Sequence, residues 1–562
     1  MARLEGKIKG QTYDFLANTL LSYDLGCGFI AKASLGYTDL RQQQLNLLPS
    51  TIYNPAYGLG SEVSSVFSNT LNRSSWIIEP QLGWSRTIGK GKIDVLAGST
   101  FQRQKGDQLV SVSEGFASNS LMENPASASF YLILNSDETV YKYQAFFGRV
   151  NLNWQGKYLL NLTGRRDGSS RFGPGRQFAA FGAVGAAWVF GEEDFIKEKI
   201  SFLSFGKLRV SYGTSGNDQI GEYQYLDTYS TSGYTYQGIA GIQPTRLFNP
   251  DFGWETNRKL ELALETGFLN DRIFSTVAFF RNRSSNQLVG IPLAGTTGFS
   301  SLQANLDAEV QNSGLELSLR TVNIKQKNFS WTTNFNFTST KNKLLSFPGL
   351  EASSYKNQYV IGQPVNIVKV YHYTGLDANT GAYQFEDVNG DGLLSAADDK
   401  KTIKDLSPKY YGGVQNQFRY GNVHLDFLFQ FVRQLNFNEN YRMAMPGTMV
   451  NQPAGVAQHW QSPGDAGPYQ AYSDSNAALR AASTRFSQSD AAISDASFVR
   501  LKNVSLSFDL PQSWTKKFTC RVSLQGQNIL TITSYKGIDP EFRSSGYLPP
   551  LRIYTTSIQF TF

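Results

Sequence analysis

Residues 329–337 read FSWTTNFNF, and this stretch decides the fold class. Phe329, Trp331, Phe335 and Phe337 stand at odd positions, while every even position between them is Ser, Thr or Asn. Successive side chains of a β-strand point to opposite faces, so the segment predicts a strand with one aromatic and one polar face. The same period of two recurs at 423–431, 260–265 and 518–525.

About seventeen such blocks follow one another along the chain. They lie near 15–24, 27–37, 76–86, 92–102, 141–153, 157–166, 177–190, 205–214, 257–268, 272–283, 312–323, 328–339, 412–421, 423–433, 498–508, 518–528 and 552–562. In the block at 498–508 the apolar residues change from odd to even positions, which predicts a β-bulge near Lys502 and Asn503.

The connections between the blocks alternate between short and long. Several short ones are tight turns, namely Leu25-Gly26, Trp154-Gln155-Gly156, Leu269-Asn270-Asp271 and Gly421-Asn422. The long ones are about 38–75, 103–140, 215–256, 284–311, 340–411, 434–497 and 529–551. Outer-membrane barrels have short periplasmic turns and long extracellular loops, so we predict an all-β, antiparallel transmembrane β-barrel that occupies residues 1–562 as one domain.

The membrane also assigns the two faces of the strands. A lipid-facing side carries charge only at high cost, so the Phe, Leu and Val positions face lipid. Lys259, Glu261 and Glu265 then face a wet or plugged lumen. A soluble propeller would show a repeat of about 40–50 residues, which is not found here. A soluble sandwich would need neither seventeen strands nor such long loops.

Composition and the lack of known motifs argue against several classes of function. The 562 residues are 17% charged and 14% aromatic, and no apolar run approaches the roughly 18 residues of a transmembrane helix. The net charge of +7 is scattered, which gives no nucleic-acid patch. Only three His and two Cys occur, and no motif for a nucleophile elbow, a phosphate-binding loop or a zinc protease appears. We therefore expect no enzyme and no required cofactor.

The last strand carries a second signal. Tyr554, Ile558, Phe560 and Phe562 share one face, and the chain ends on Phe562. This pattern resembles the terminal signal that the outer-membrane barrel assembly machinery reads, so that machinery is an expected partner.

Several motifs spread over the chain carry a family resemblance. They are YLLNLTGRRDGSSRFG at 158–173, GAAW at 185–188, FGKLRVSYGTSGND at 205–218, WE at 254–255, NSGLE at 312–316, DVNGDG at 387–392, PKYYGG at 408–413, FVRLKNV at 498–504, QN at 527–528 and GIDPE at 537–541. The sequence resembles the SusC/RagA-like family of TonB-dependent outer-membrane transporters, typical of Bacteroidota. The resemblance implies nutrient import of glycans or peptides, a SusD-like surface lipoprotein as partner, and TonB as the energy source.

The resemblance also implies segments that precede the barrel. Family members have a signal peptide, a small N-terminal domain, a TonB-interacting segment and a plug. None is visible here, because the first residues, MARLEGKIKG, lack an apolar core and barrel-like sequence begins near Asn18. We therefore expect an incomplete barrel with 17 of about 22 strands and no plug, as from a truncated gene, a split frame or a partial sequence. TonB would then act only through the absent plug segment.

One segment matches the twelve-residue calcium-loop template. Its candidate oxygen ligands are Asp387, Asn389, Asp391, Leu393 (through its carbonyl), Ser395 and Asp398, with Gly392 at the sharp turn. The twelfth position is Asp398 where the template has Glu, which weakens affinity. A turn held by Asn and Asp side chains without metal explains the same sequence.

A second candidate site is an aromatic loop surface. Five tyrosines lie in the 215–256 loop, namely Tyr223, Tyr225, Tyr229, Tyr234 and Tyr236. Tyrosine offers stacking area and a hydroxyl, which suits sugar rings. An interfacial aromatic girdle, or packing against a partner, is the alternative.

Two functions from different classes remain open. The first is outer-membrane nutrient uptake as the barrel part of a TonB-dependent transporter. The second is a non-energised outer-membrane barrel that serves as a passive pore or adhesin, and a non-functional truncated product is a further alternative. The sequence upstream of the chain would discriminate between them.

Overall fold

The computed structural model describes residues 5–516, 518–542 and 548–562. The strands among them are β1 (Lys7–Gly26), β2 (Phe29–Leu48), β3 (Ser65–Ile88), β4 (Gly91–Phe116), β5 (Ala128–Trp154), β6 (Tyr158–Ser169), β7 (Phe178–Trp188), β8 (Leu203–Asn217), β9 (Thr228–Tyr236), β10 (Ile239–Arg246), β11 (Glu255–Phe268), β12 (Ile273–Ser285), β13 (Gln287–Pro292), β14 (Ser301–Leu306), β15 (Glu309–Lys325), β16 (Phe329–Ser346), β17 (Ile367–Val370), β18 (Tyr373–Leu376), β19 (Tyr383–Phe385), β20 (Thr402–Asp405), β21 (Tyr410–Tyr420), β22 (Val423–Arg433), β23 (Leu435–Phe437), β24 (Ile493–Asp495), β25 (Phe498–Asp509), β26 (Thr519–Thr533) and β27 (Ile553–Thr561). The α-helices are α1 (Asp194–Lys199), α2 (Ala477–Ser487) and α3 (Gln512–Thr515). None of the described helices is long and apolar enough to cross a membrane.

Seventeen of these strands belong to one antiparallel sheet, which confirms the number predicted from the alternation. They are β1–β8, β11, β12, β15, β16, β21, β22 and β25–β27. The remaining described strands form two-stranded sheets within the long connections, which pair β9 with β10, β13 with β14, β17 with β20, β18 with β19 and β23 with β24.

Many sheet strands are longer than the alternation predicts. β2 continues to Leu48 and β3 begins at Ser65, so the link predicted at 38–75 spans 49–64. The alternation stops early because residues 41–44 are Arg and Gln on both faces, while the backbone pairing continues, for example between Gln43 and Thr70. Of the loop predicted at 529–551, residues 543–547 lie outside the described residues.

Three of the four predicted tight turns are confirmed, whereas the turn predicted at Leu25-Gly26 lies at Cys27 and Gly28, because Gly26 still pairs with Phe29. Gln155 and Gly156 have φ of 58° and 71°, in the left-handed region that a two-residue hairpin requires. Residues 269–271 also have positive φ. The predicted bulge is confirmed as well, because Leu501 pairs with Leu530 and Asn503 with Gln527, so the register shifts at Lys502.

The chain divides into two compact units, which are residues 1–186, 212–257 and 286–306 for the first and 187–211, 258–285 and 307–562 for the second. In each unit the buried apolar clusters lie in the long connections or at the strand ends next to them. In the sheet, by contrast, large apolar side chains are exposed, such as Phe146 and Leu162 in the first unit and Leu524 in the second. Such an extensive exposed apolar surface marks a face that contacts membrane lipid.

Candidate functional site

The polar face of the sheet in the second unit carries ion pairs between neighbouring strands. Arg209 on β8 contacts Glu261 with Nη1 at 2.5 Å and Glu265 with Nε at 2.8 Å on β11. On the opposite face of β11, Leu262 and Leu264 are exposed. The predicted assignment of charged and apolar faces therefore agrees with the side-chain contacts of this strand.

The loops of the first unit are fastened by a partly buried arginine. Arg171 Nε donates to Glu222 Oε1 at 2.8 Å, and Arg171 Nη1 donates to the carbonyl of Asp218 at 2.9 Å. The guanidinium also lies 4.2 Å from the ring centre of Tyr141, whose hydroxyl donates to Asp218 Oδ2 at 2.8 Å. Burial raises the pKa of Glu222 above its ordinary value, although the contact with Arg171 opposes this shift.

An aromatic cluster lies beside this arginine. Phe172 is fully buried, and its ring centre lies 5.0 Å from that of Trp254. Phe181 packs on Trp254 from β7 at 5.7 Å, and Trp254 Nε1 donates to the carbonyl of Gln177 at 2.9 Å. The motifs at 158–173 and 254–255 therefore meet in one core that holds the loops of the first unit.

The structure separates the five loop tyrosines into two groups. Tyr223 and Tyr225 are half-buried: the hydroxyl of Tyr223 accepts a hydrogen bond from the Val140 N–H at 2.9 Å, and Tyr225 packs on the Phe172 and Trp254 cluster. Tyr229, Tyr234 and Tyr236 lie on β9 of the β9–β10 hairpin and are 59%, 82% and 79% exposed. Only the hairpin group thus presents free aromatic surface.

The loops of the second unit enclose their own core. Tyr383 stacks on Phe486 of α2 with ring centres 3.9 Å apart, and both are buried. Burial raises the pKa of Tyr383 above its ordinary value. Gly381 has a φ of +66°, and a Cβ there would lie 2.4 Å from the Trp460 ring, so glycine is required at this close approach.

An acidic residue joins two segments of this loop layer. Asp490 Oδ2 lies 2.9 Å from His372 Nδ1, and Asp490 Oδ1 accepts from the Tyr373 N–H at 3.0 Å. Burial alone would raise the pKa of the Asp490 carboxyl, but the Tyr373 N–H and His372 lower it below its ordinary value. Sequence reasoning missed this pair, because the two partners are more than a hundred positions apart and neither lies in a recognisable motif.

The segment 387–398 forms a turn in which the carboxylates of Asp387 and Asp391 accept hydrogen bonds from backbone N–H groups. Asp387 accepts from the N–H groups of Gly390 and Gly392, both at 2.8 Å, and Asp391 accepts from Leu393 at 2.7 Å. The side chain of Asn389 donates to Asp391. Ser395 Oγ donates to Asp398 Oδ2 at 2.9 Å. Among the described residues no group of three or more His, Cys, Asp or Glu side chains is arranged to hold a metal. Calcium binding here stays a prediction.

A buried arginine fastens the loop after β26 in the second unit. Arg500 is 1% exposed, and its guanidinium donates to Asp539 at 2.6 Å and to Glu541 at 2.7 Å. Arg500 Nε donates to the Thr531 hydroxyl at 3.0 Å, so all three edges of the group are used. The motifs at 498–504 and 537–541 are therefore partners in one ion-pair network.

The C-terminal strand has the predicted arrangement of side chains. Tyr554, Ile558 and Phe560 pair with Gly526, Val522 and Cys520 of β26, which places the three on one face. The Phe518 ring lies 5.6 Å from that of Phe560 and 5.9 Å from that of Phe562, while Phe562 remains 97% exposed. The assembly role of these four residues stays a prediction.

Comparison with known proteins identifies the fold. Residues 5–529 match the family model described as TonB dependent receptor-like, beta-barrel. TonB-dependent receptor P3 of Formosa agariphila is 29% identical over 95% of this chain and 55% of its own length. TonB-dependent receptor SusC of Bacteroides thetaiotaomicron is 26% identical over 95% of this chain and 54% of its own. The chain therefore spans about half the length of these curated relatives.

A solved structure shows the same fold. The structure of the RagAB peptide transporter aligns with a TM-score of 0.86 at 23% identity, and it covers 99% of this chain and 62% of the transporter chain. The resemblance to SusC- and RagA-like proteins that the motifs predict is thus confirmed. The two-faced strands, the seventeen-stranded sheet and the comparisons together show that the chain belongs to the TonB-dependent receptor-like β-barrel family of the bacterial outer membrane.

Proposed function

We propose that the chain is the membrane-spanning part of an importer that carries nutrient glycans or peptides across the outer membrane, with no catalytic role. A SusD-like surface lipoprotein would deliver the substrate, and TonB would supply energy through the plug segment that the family resemblance implies. Support comes from the family, in which one relative is named SusC and one solved structure is a peptide transporter.

The observation that carries this proposal is the exposed aromatic surface of the β9–β10 hairpin. Tyr229, Tyr234 and Tyr236 project from a loop that extends beyond the lipid-facing part of the sheet, and Ile239 and Ile242 beside them are also more than 70% exposed. Exposed tyrosines of this kind suit stacking on sugar rings or on peptide side chains. They equally suit the surface of a lipoprotein partner, and the experiment below distinguishes these uses.

The test replaces Tyr234 and Tyr236 by Ala in the full-length protein and measures uptake of labelled glycan and peptide mixtures by the host. We expect uptake to fall severalfold, since each stacking contact contributes about 0.5–1.5 kcal/mol beyond buried area. Tyr23, which is 70% exposed next to the tight turn after β1, provides the matched control, and Tyr23→Ala should leave uptake unchanged.

A pull-down of the neighbouring lipoprotein with the same variants separates the two uses of the surface. Loss of uptake with the lipoprotein still bound assigns the tyrosines to substrate, whereas loss of both assigns them to the partner. Unchanged uptake in the double variant would refute a role of this surface in import.

A further inference from the structure

A groove of about 450 Å³ lies on strands β3 to β7 of the first unit, and none of the five loop tyrosines is among its lining residues. Its walls include Trp76, Phe101, Arg103, Lys142 and Phe178. Aromatic and basic side chains thus surround one cavity, and no ion pair or loop contact described above uses them.

The pairing registers place these side chains on one face of the sheet. Trp76 is opposite Arg103, and Arg103 is opposite Lys142, so the three form one row across β3, β4 and β5. The next row toward the tight turns contains Phe101. The Phe178 ring lies over Gly168, so close that a Cβ atom at position 168 would lie 2.4 Å from the ring.

The same face continues as apolar surface toward the tight turns. On β5 Lys142 is followed at every second position by Gln144 and then by Phe146, Gly148, Val150, Leu152 and Trp154. Phe146 and Trp154 are about half exposed, as aromatic girdles at the two borders of a bilayer would be. The basic row therefore lies at the border of the lipid-facing band, on the side of the long loops, which is the extracellular side.

The positive charges of this border are not neutralised within the protein. In the part of the chain that the structure describes, neither Arg103, Lys142 nor Arg166 has a carboxylate within ion-pair distance. Arg166 instead lies 4.9 Å from the ring centre of Phe178. Nearby cations do pair: Lys105 on the same face contacts Glu138 at 2.8 Å, and Arg165 on the other face contacts Asp167 at 2.8 Å.

We infer that this groove binds the phosphate-bearing headgroup of a lipid in the outer leaflet. Arg and Lys side chains bind phosphate oxygens through charge-assisted hydrogen bonds, and an anion is the partner that Arg103 and Lys142 of the groove lack. Arg166, opposite Phe146, lies beside the groove. The acyl chains of such a lipid lie along Phe146 and the apolar positions below it, while the ring of Trp76 packs at the headgroup level. A soluble anion would use the cations but not the apolar band.

The experiment uses the full-length protein in detergent and lipid A as the probe, in its phosphorylated form and after enzymatic removal of phosphate. We expect the phosphorylated lipid to bind at least tenfold more tightly than the dephosphorylated lipid. The double variant Arg103→Gln, Lys142→Gln should lose that preference. Arg86 lies on the same face of β3 at the opposite border, so Arg86→Gln is the matched control and should retain it.

Three results would overturn the inference. Equal binding of both lipid forms to the unmodified protein would show that phosphate is not recognised, and this arm needs no variant to fold. Binding of inorganic phosphate with the affinity of the lipid would show a soluble-anion site instead. An unchanged preference in the double variant would place the phosphate elsewhere on the protein.

Discussion

Arg500 on β25 and Asp539, which are 39 positions apart, form an ion pair of 2.6 Å in which the arginine is 1% exposed. Since Glu541 binds the same guanidinium, this one buried side chain ties two acidic residues of the loop after β26 to the sheet. The network links two distant motifs, because Asp539 and Glu541 of 537–541 pair with Arg500, and Glu541 also pairs with Lys502 at 3.0 Å.

Replacing Arg500 by Met should release residues 534–542. Removal of one partner from a buried ion pair costs about 3–5 kcal/mol, because the remaining charges stay buried without compensation. Hydrogen exchange of this segment should therefore accelerate by more than about a hundredfold. Arg521, which pairs with Asp509 at the surface, is the control, and Arg521→Met should cost less than about 1 kcal/mol. Similar small effects of both changes would contradict the claim that Arg500 holds the loop after β26.

The face assignment predicts asymmetric tolerance of charge on neighbouring strands. Phe427 lies on the aromatic face of β22, where it packs on Phe418 at 6.0 Å. Phe427→Arg should destabilise the folded protein by about 2–4 kcal/mol if the site is near the bilayer midplane. Gln430 on the polar face is an unsuitable control, because it lies directly opposite Arg500 in the pairing of β22 with β25, where a second Arg would repel the first. Gln417 is exposed and opposite Asp426, so Gln417→Arg should change the free energy of unfolding only slightly. Urea titration of the two variants measures both effects. Equal effects would refute the assignment.

The terminal signal predicts a defect in assembly. Deletion of Phe562, or Phe562→Asp, should lower the amount of folded protein in the outer membrane of cells. Thr561 lies on the opposite face of β27, so Thr561→Asp serves as control. Heat-modifiable mobility on gels measures the folded fraction, and unchanged levels for the Phe562 variants would remove the basis for the signal.

The loop layer of the second unit should weaken in acid. The pKa of Asp490 is lowered from its ordinary value of 3.8, so its contribution to stability is complete above that value and is lost as pH falls through the lower, folded-state pKa. Exchange of residues 371–373 should therefore accelerate below about pH 4. In Asp490→Asn the exchange should already be fast at neutral pH and should change little on acidification. A pH response that persists in this variant would assign it to other carboxyls.

Calcium binding by residues 387–398 can be tested by measuring hydrogen exchange of the backbone amides in this segment. If the template holds, calcium should protect the turn with a dissociation constant of roughly 10⁻⁴–10⁻³ M, as for extracellular modules. Asp391→Asn should abolish the protection while the Asp387 turn remains formed. Exchange that is unaffected by millimolar calcium would identify a turn held by hydrogen bonds alone.

The sequence predicts the sheet well and the loops poorly, for physical reasons. A strand with one face in lipid must alternate, so segments such as 329–337 reveal both the strand and its lipid-facing side. Beyond the membrane both faces are polar, and the continuation of β2 to Leu48 leaves no periodic trace. The loop tyrosines show the same limit: nothing local distinguishes Tyr223, which is held by Val140, from the exposed Tyr234. Such contacts depend on distant partners.

Energy-dependent uptake tests the central claim most directly. The full-length protein should be expressed in its host, and accumulation of labelled glycans and peptides should be measured with and without a protonophore that discharges the inner membrane. Import driven by TonB predicts saturable accumulation that the protonophore abolishes. Uptake that proceeds equally in both conditions, in proportion to the external concentration, would contradict the proposal and identify a passive pore.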